Sequence, residues 1–119
     1  MTNSNSVTER ESVNVLRECI ELQLKKSRDY QNPHSTVLQA HYYPSGVRTI
    51  HEIMHAKMLR IKSVMEAMES DPAYSPNFES LEDSCRDLIN YTSFLAAYLR
   101  GGIPGQNTQN SMLNKPKDQ

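Results

Sequence analysis

The sequence predicts an all-α fold: a helical bundle of three long helices and short turns, completed by oligomerisation. Apolar residues recur at three- and four-residue steps in three separate stretches, and no stretch alternates in the manner of a strand. The chain has 119 residues, enough for one domain, yet its apolar content of 37% is low for a compact monomer. Polar ends dilute that figure, and a small helical core can be completed by a second copy of the chain.

The first element starts at a capping-box pattern, Thr8 with Glu11, after a polar stretch 1–7 expected to be disordered. Val13, Leu16, Ile20 and Leu24 form one apolar stripe; Val15, Cys19 and Leu22 form another. A helix apolar on two sides is expected to be sandwiched. Residues 31–46 break the pattern with Pro33, Pro44 and Gly46, and Ser35 to Ala40 suits a short helical turn. His34, His41, Tyr42 and Tyr43 make this connector unusually sticky. The second helix is expected from about Val47 to Met68, with Thr49 and Glu52 as start signals. Its stripe is Val47, Ile50, Met54, Met58, Ile61, Met65 and Met68, while Lys57 and Arg60 share a neighbouring face with Ile53 and Val64. Asp71 and Pro72 mark a turn, and Ser75 before Pro76 suits a helix start. The third helix is expected from about Asn77 to Leu99, stopped by Gly101 and Gly102. Residues 8–100 thus make one domain, and the polar segment 101–119 is expected to be a disordered tail.

The third helix carries the most informative pattern. Glu79, Asp83 and Asp87 recur every four residues and share a face. Leu81, Cys85, Leu88, Thr92, Leu95 and Leu99 form the opposite, core-facing stripe. The acidic face continues into Asn90, Phe94 and Tyr98, poor choices for open surface, so it reads as one wall of a pocket or an interface. Glu18 and Glu21 stand at i and i+3 on the first helix. Carboxylates from two helices suit Mg²⁺ or Mn²⁺, hard ions that prefer oxygen ligands; the same spacing also suits solvated acidic faces.

His51-Glu-Ile-Met-His55 is a literal H-E-x-x-H, in which two imidazoles would hold zinc and Glu52 would act as base in a peptidase. The absence of a strand weighs against that, because such enzymes hold substrate along a sheet edge. Lys26, Lys57 and Arg60 offer cations to phosphates, and Tyr30 offers a ring to a base.

The net charge of −1 argues against direct nucleic-acid binding by bulk electrostatics. No apolar run reaches the length of a membrane span, and no signal-peptide core is visible. Cys19 and Cys85 read as free buried thiols of a reducing compartment, so the protein is expected in the cytoplasm, the host's if it is viral.

Lys26-x-x-Asp29-Tyr30, Lys57-x-x-Arg60 and Glu79-Ser-x-x-Asp83-x-x-x-Asp87-Leu-Ile-Asn-Tyr resemble the phage nucleotide modification associated domain of the first type. That family looks related to the MazG-like, all-α nucleoside triphosphate pyrophosphohydrolases. The resemblance implies Mg²⁺-dependent (or Mn²⁺-dependent) hydrolysis of a (d)NTP in phage or bacterial nucleotide metabolism, by a homodimer or homotetramer. It implies Glu18, Glu21, Asp83 and Asp87 as metal ligands, with Glu79 and Asp83 as the catalytic pair. Lys26, Asp29, Tyr30, Lys57, Arg60, Asn90 and Tyr91 would contact the nucleotide. Asp87 resembles the closing aspartate of E-x-x-D, but Ser84 stands three residues before it, and Asp83 is the nearest acid. Glu18 and Glu21 resemble the second half of E-E-x-x-E, with Arg17 in place of the leading acid. These departures also suit a non-catalytic nucleotide-binding protein, one that sequesters a nucleotide or assists base modification.

Overall fold

The computed structural model describes residues 10–30, 32–74, 78–109 and 114–117, with backbone alone at 29, 30 and 78–80. The described residues are all-α, with no strand among them. Helices α1 (Glu11–Tyr30), α2 (Val47–Ser70) and α3 (Phe78–Leu99) are joined by loops, with a 3₁₀ turn at Gln39–Tyr42. Helix α3 is the hub: α2 packs along it extensively and α1 over a shorter seam. Thr8, Ser75 and Pro76, the expected start signals of α1 and α3, lie outside the described residues.

The other boundaries have local causes. Helix α2 begins after Gly46, whose φ of 60° turns the chain into the helix. Thr49 helps from inside the first turn, where its hydroxyl oxygen accepts from the Ser45 amide at 2.8 Å. Glu52 stays exposed, so the expected Thr49–Glu52 start is replaced by glycine geometry plus one back-reaching threonine. Helix α3 stops as expected. Gly102 N–H donates to the Ala97 carbonyl and Gly101 N–H to that of Tyr98, with Gly101 at φ 75°. This double bond pattern satisfies carbonyls that the helix itself leaves open, and it needs a left-handed residue that glycine supplies without strain. The short turn falls later than the expected Ser35 to Ala40. The Ala40 amide bonds to the Pro104 carbonyl, and the Leu38 amide donates to His41 Nδ1.

The core lies at one end of the bundle. Ala40, Tyr43, Ile50, Tyr98 and Ile103 are buried there, ringed by Val47, Ile53, Met54, Phe94 and Leu95. Tyr43 and Tyr98 meet edge to face, with centroids 6.4 Å apart. Two members come from segments that looked like loops. Tyr43 comes from the connector, and Ile103 from the tail expected to be disordered. The described part of that tail is packed. Gln106 is 2% exposed, accepts from the Ile103 amide and donates to the Tyr98 carbonyl. Its backbone bridges to Pro116, and the Tyr98 hydroxyl donates to the Asn114 carbonyl. One apolar side chain and one well-placed amide therefore dock a segment whose composition reads as disordered.

The stripes are only partly covered. Cys19 is buried, with Val15 and Leu22 half-buried, while Leu16, Ile20 and Leu24 are 50, 58 and 62% exposed. The α2 stripe is covered at Ile50 and Met54 but open at Met58, Met65 and Met68. On α3 the expected core stripe is corrected. Thr92 and Leu99 are exposed, whereas Ser84, Asn90 and Tyr98 of the neighbouring faces are buried. Both flanking helices approach α3 there, so the face from Asp87 through Asn90 and Phe94 to Tyr98 is covered while Asp83 stays exposed.

If Ile103 anchors the tail, Ile103→Ala leaves a hole in this core and lowers unfolding stability by about 2–4 kcal/mol. Urea denaturation reads that loss, and an unchanged midpoint would show the tail to be unimportant to the fold.

Candidate functional site

Asp87 sits midway along α3 with its side chain 24% exposed. Lys57 of α2 donates to one carboxylate oxygen at 3.1 Å, and Lys26 of α1 lies 3.8 Å from the other. One acid thus gathers a cation from each flanking helix. Both lysines belong to the expected phosphate-contacting set, and the fold brings them together.

Beside this node lies a cleft lined by Gln23 and Lys26 of α1 and by Asp87, Asn90, Tyr91 and Phe94 of α3. The α3 members stand at i, i+3, i+4 and i+7, one helical face. Tyr91 and Phe94 meet edge to face at 5.6 Å. Asn90 is 8% exposed, and its side-chain oxygen accepts from Gln23 Nε2 at 3.2 Å. Gln23 and Phe94 were absent from the expected site. Gln23 stands three residues before Lys26 and four after buried Cys19, a spacing that marks the covered side of α1.

The remaining acids meet a different cation. Arg86 Nη2 bonds Asp83 at 2.6 Å, and its Nη1 lies 3.1 Å from Glu18 of α1 and 3.5 Å from Glu82. The hydrogen bond to Asp83 is the largest influence holding the guanidinium firmly charged. Carboxylates from α1 and α3 do converge, but on an arginine of their own chain. Its spacing was readable, since Arg86 stands at i+3 from Asp83 and i+4 from Glu82. Glu21 is exposed, Arg60 is exposed, and the side chains of Asp29, Tyr30 and Glu79 lie outside the described residues. Ser84, where the resembled motif has an acid, is 4% exposed. A carboxylate there would be packed away from water.

The expected Mg²⁺ (or Mn²⁺) set is therefore only partly assembled. Among the described residues no three His, Cys, Asp or Glu side chains are grouped to hold a metal ion. Glu18 and Asp83 share Arg86, and Asp87 is shared by two lysines. As placed, these carboxylates are paired with cationic side chains of their own chain. His51 and His55 line an open groove of about 280 Å³ between α2 and α3 with Met54, Met58, Leu88 and Thr92. That lining contains no carboxylate, so the zinc-peptidase pattern has its two imidazoles and no third ligand among the described residues.

The thiols are both free. Burial pushes Cys19 up, opposed by the charge of Arg86, so it stays protonated and inert. Cys85 is half-buried rather than buried.

Burial first, and the Asp87 charge second, push Tyr91 above its ordinary 10.0. Burial does the same to Tyr98. The folded chain therefore keeps these phenol protons to higher pH than the unfolded chain does. That contribution to stability is whole below about pH 10 and is lost as pH rises through the raised values. Denaturation midpoints should fall above about pH 10, and less steeply in Tyr91→Phe. Identical profiles in the two proteins would show that Tyr91 keeps no proton through burial.

Comparison with family models, with curated proteins and with solved structures returns no match for this chain.

Proposed function

We propose that the chain binds a phosphorylated nucleotide at the mouth of the cleft between α1 and α3, with Lys26 and Lys57 taking the phosphate. The observation that carries this reading is the convergence of two lysines from separate helices on Asp87, which with Lys26 lines a cleft of amides and aromatics. An oxyanion suits them for the same reason that Asp87 does: it offers several charged acceptor oxygens at one point. Tyr91 and Phe94 supply apolar ring surface, and Asn90 and Gln23 supply polar groups that fix orientation. The resemblance to a nucleotide modification associated domain supports the same ligand class. No helix among the described residues is long and apolar enough to cross a membrane. A role in a cytoplasmic nucleotide pool is the finer proposal.

A second reading is Mg²⁺-dependent pyrophosphohydrolysis of a (d)NTP, and one observation favours it. Glu18, Asp83 and Asp87 all lie along the same α1–α3 seam beside the cleft. The ion pairs these acids already make fit binding without cleavage better. We further propose a homodimer or homotetramer, supported by the exposed Leu16, Ile20 and Leu24 stripe of α1.

Calorimetry with a panel of NTPs and dNTPs tests the binding. Lys57→Ala and Lys26→Ala should each weaken it roughly tenfold or more. Unchanged affinity in both variants, or no binding by the parent chain, overturns the reading. Pyrophosphate release from any panel member with Mg²⁺ would instead establish the hydrolase. Light scattering coupled to size exclusion should return a mass two or four times that of the chain, and a strict monomer removes the assembly.

A further inference from the structure

We propose that Gln23 and Ser93 lock Asn90 as a donor-only reader of the base, so that the cleft selects bases with a keto oxygen at pyrimidine position 4 or purine position 6 over those with an amino group there. The inference rests on the nucleotide-binding reading of the same cleft and names the substrate class within it.

The hydrogen-bond network fixes the direction of each amide. The Ser93 hydroxyl donates to the Asn90 backbone carbonyl at 2.6 Å. Its single proton is thereby committed, so it can only accept from Gln23, whose Nε2 lies 3.1 Å away. The amino end of Gln23 therefore faces Ser93, and its other proton goes to Asn90 Oδ1 at 3.2 Å. This turns the oxygen of Asn90 toward Gln23 and its amino group to the opposite side. Asn90 is 8% exposed and lines the cleft, and its Nδ2 has no partner among the described residues. A buried amide donor left without an acceptor is costly, so the site calls for one.

Size restricts what can supply it. The enclosed part of the cleft measures about 30 Å³, room for one or two water-sized groups and too little for a ring. A base would insert a single exocyclic atom, its ring remaining at the mouth. A keto oxygen accepts from Nδ2. An amino group would set N–H against N–H and leave both unpaired. At pyrimidine position 4 or purine position 6, uracil, thymine and guanine carry an oxygen, whereas cytosine and adenine carry an amine.

UTP with CTP, and GTP with ATP, are pairs whose members differ in this respect. Equilibrium binding of all four to the full chain should show UTP tighter than CTP, or GTP tighter than ATP, by roughly tenfold or more. Gln23→Glu supplies the inversion. A carboxylate cannot donate to Asn90 Oδ1 but does accept from Nδ2, so the Asn90 amide turns over and presents oxygen to the cleft. The preference should reverse toward CTP or ATP, an outcome that mere structural damage would not produce. Ser93→Ala, which frees Gln23 from its lock, should narrow the parent ratio. Equal affinities within both pairs for the parent chain overturn the inference and leave Nδ2 to an ordered water. An unchanged ratio in folded Gln23→Glu overturns it as well. Failure of the parent chain to bind any of the four overturns this inference and the nucleotide reading together, whereas binding without keto preference overturns this inference alone.

Discussion

Midway along α3, the Asp87 carboxylate is shared by lysines from the two helices that flank it. The rest of the arrangement depends on this contact. With Asp87 removed, two ammonium groups would face each other across α3. With the lysines removed, a largely covered carboxylate would stand unpaired, and such a loss costs more than an intact pair contributes. The contact also sets register. Sliding α1 by one turn, about 5.4 Å, would carry Lys26 out of reach of Asp87 and Gln23 out of reach of Asn90. The cleft therefore exists only in the register that the charges specify.

Arg86, the residue before Asp87, solves the complementary problem. The acids of α3 would repel one another along their shared face, and Glu18 of α1 adds to them. One guanidinium placed among Glu18, Glu82 and Asp83 offsets part of their charge and ties α1 to α3 a second time. Adjacent residues of opposite charge thus act in opposite senses: Arg86 collects acids and Asp87 collects bases. The middle of the bundle is organised by charge, while the apolar core sits at the end formed by Ile50, Tyr98 and Ile103. That division leaves much of the apolar stripes of α1 and α2 uncovered in a single chain.

The three helices were legible in the sequence because period and breakers are local properties. Val47 begins α2 and Leu99 ends α3 where Gly46 and Gly101 make the chain turn. Lys26, Lys57, Asp87, Asn90 and Tyr91, singled out from the sequence, are brought close together by the fold. Gln23 and Ser93 were not singled out, since their roles are set by partners about seventy residues away in sequence. The packed tail was missed for a similar reason. Ile103 and Gln106 stand in a stretch rich in Asn, Gln and Gly, and no local pattern marks two side chains that fit an existing core.

By itself the sequence determined the helical class and the acidic stripe, which follow from spacing along a chain with 3.6 residues per turn, and the end of α3 at its glycines. Only the tertiary structure decided which cation each acid meets. Glu18 and Asp83 turn to Arg86, and Asp87 turns to Lys26 and Lys57. The reason is geometric: an ion pair depends on separation in space, and which side chains come within about 4 Å is set by how α1 and α2 are laid against α3.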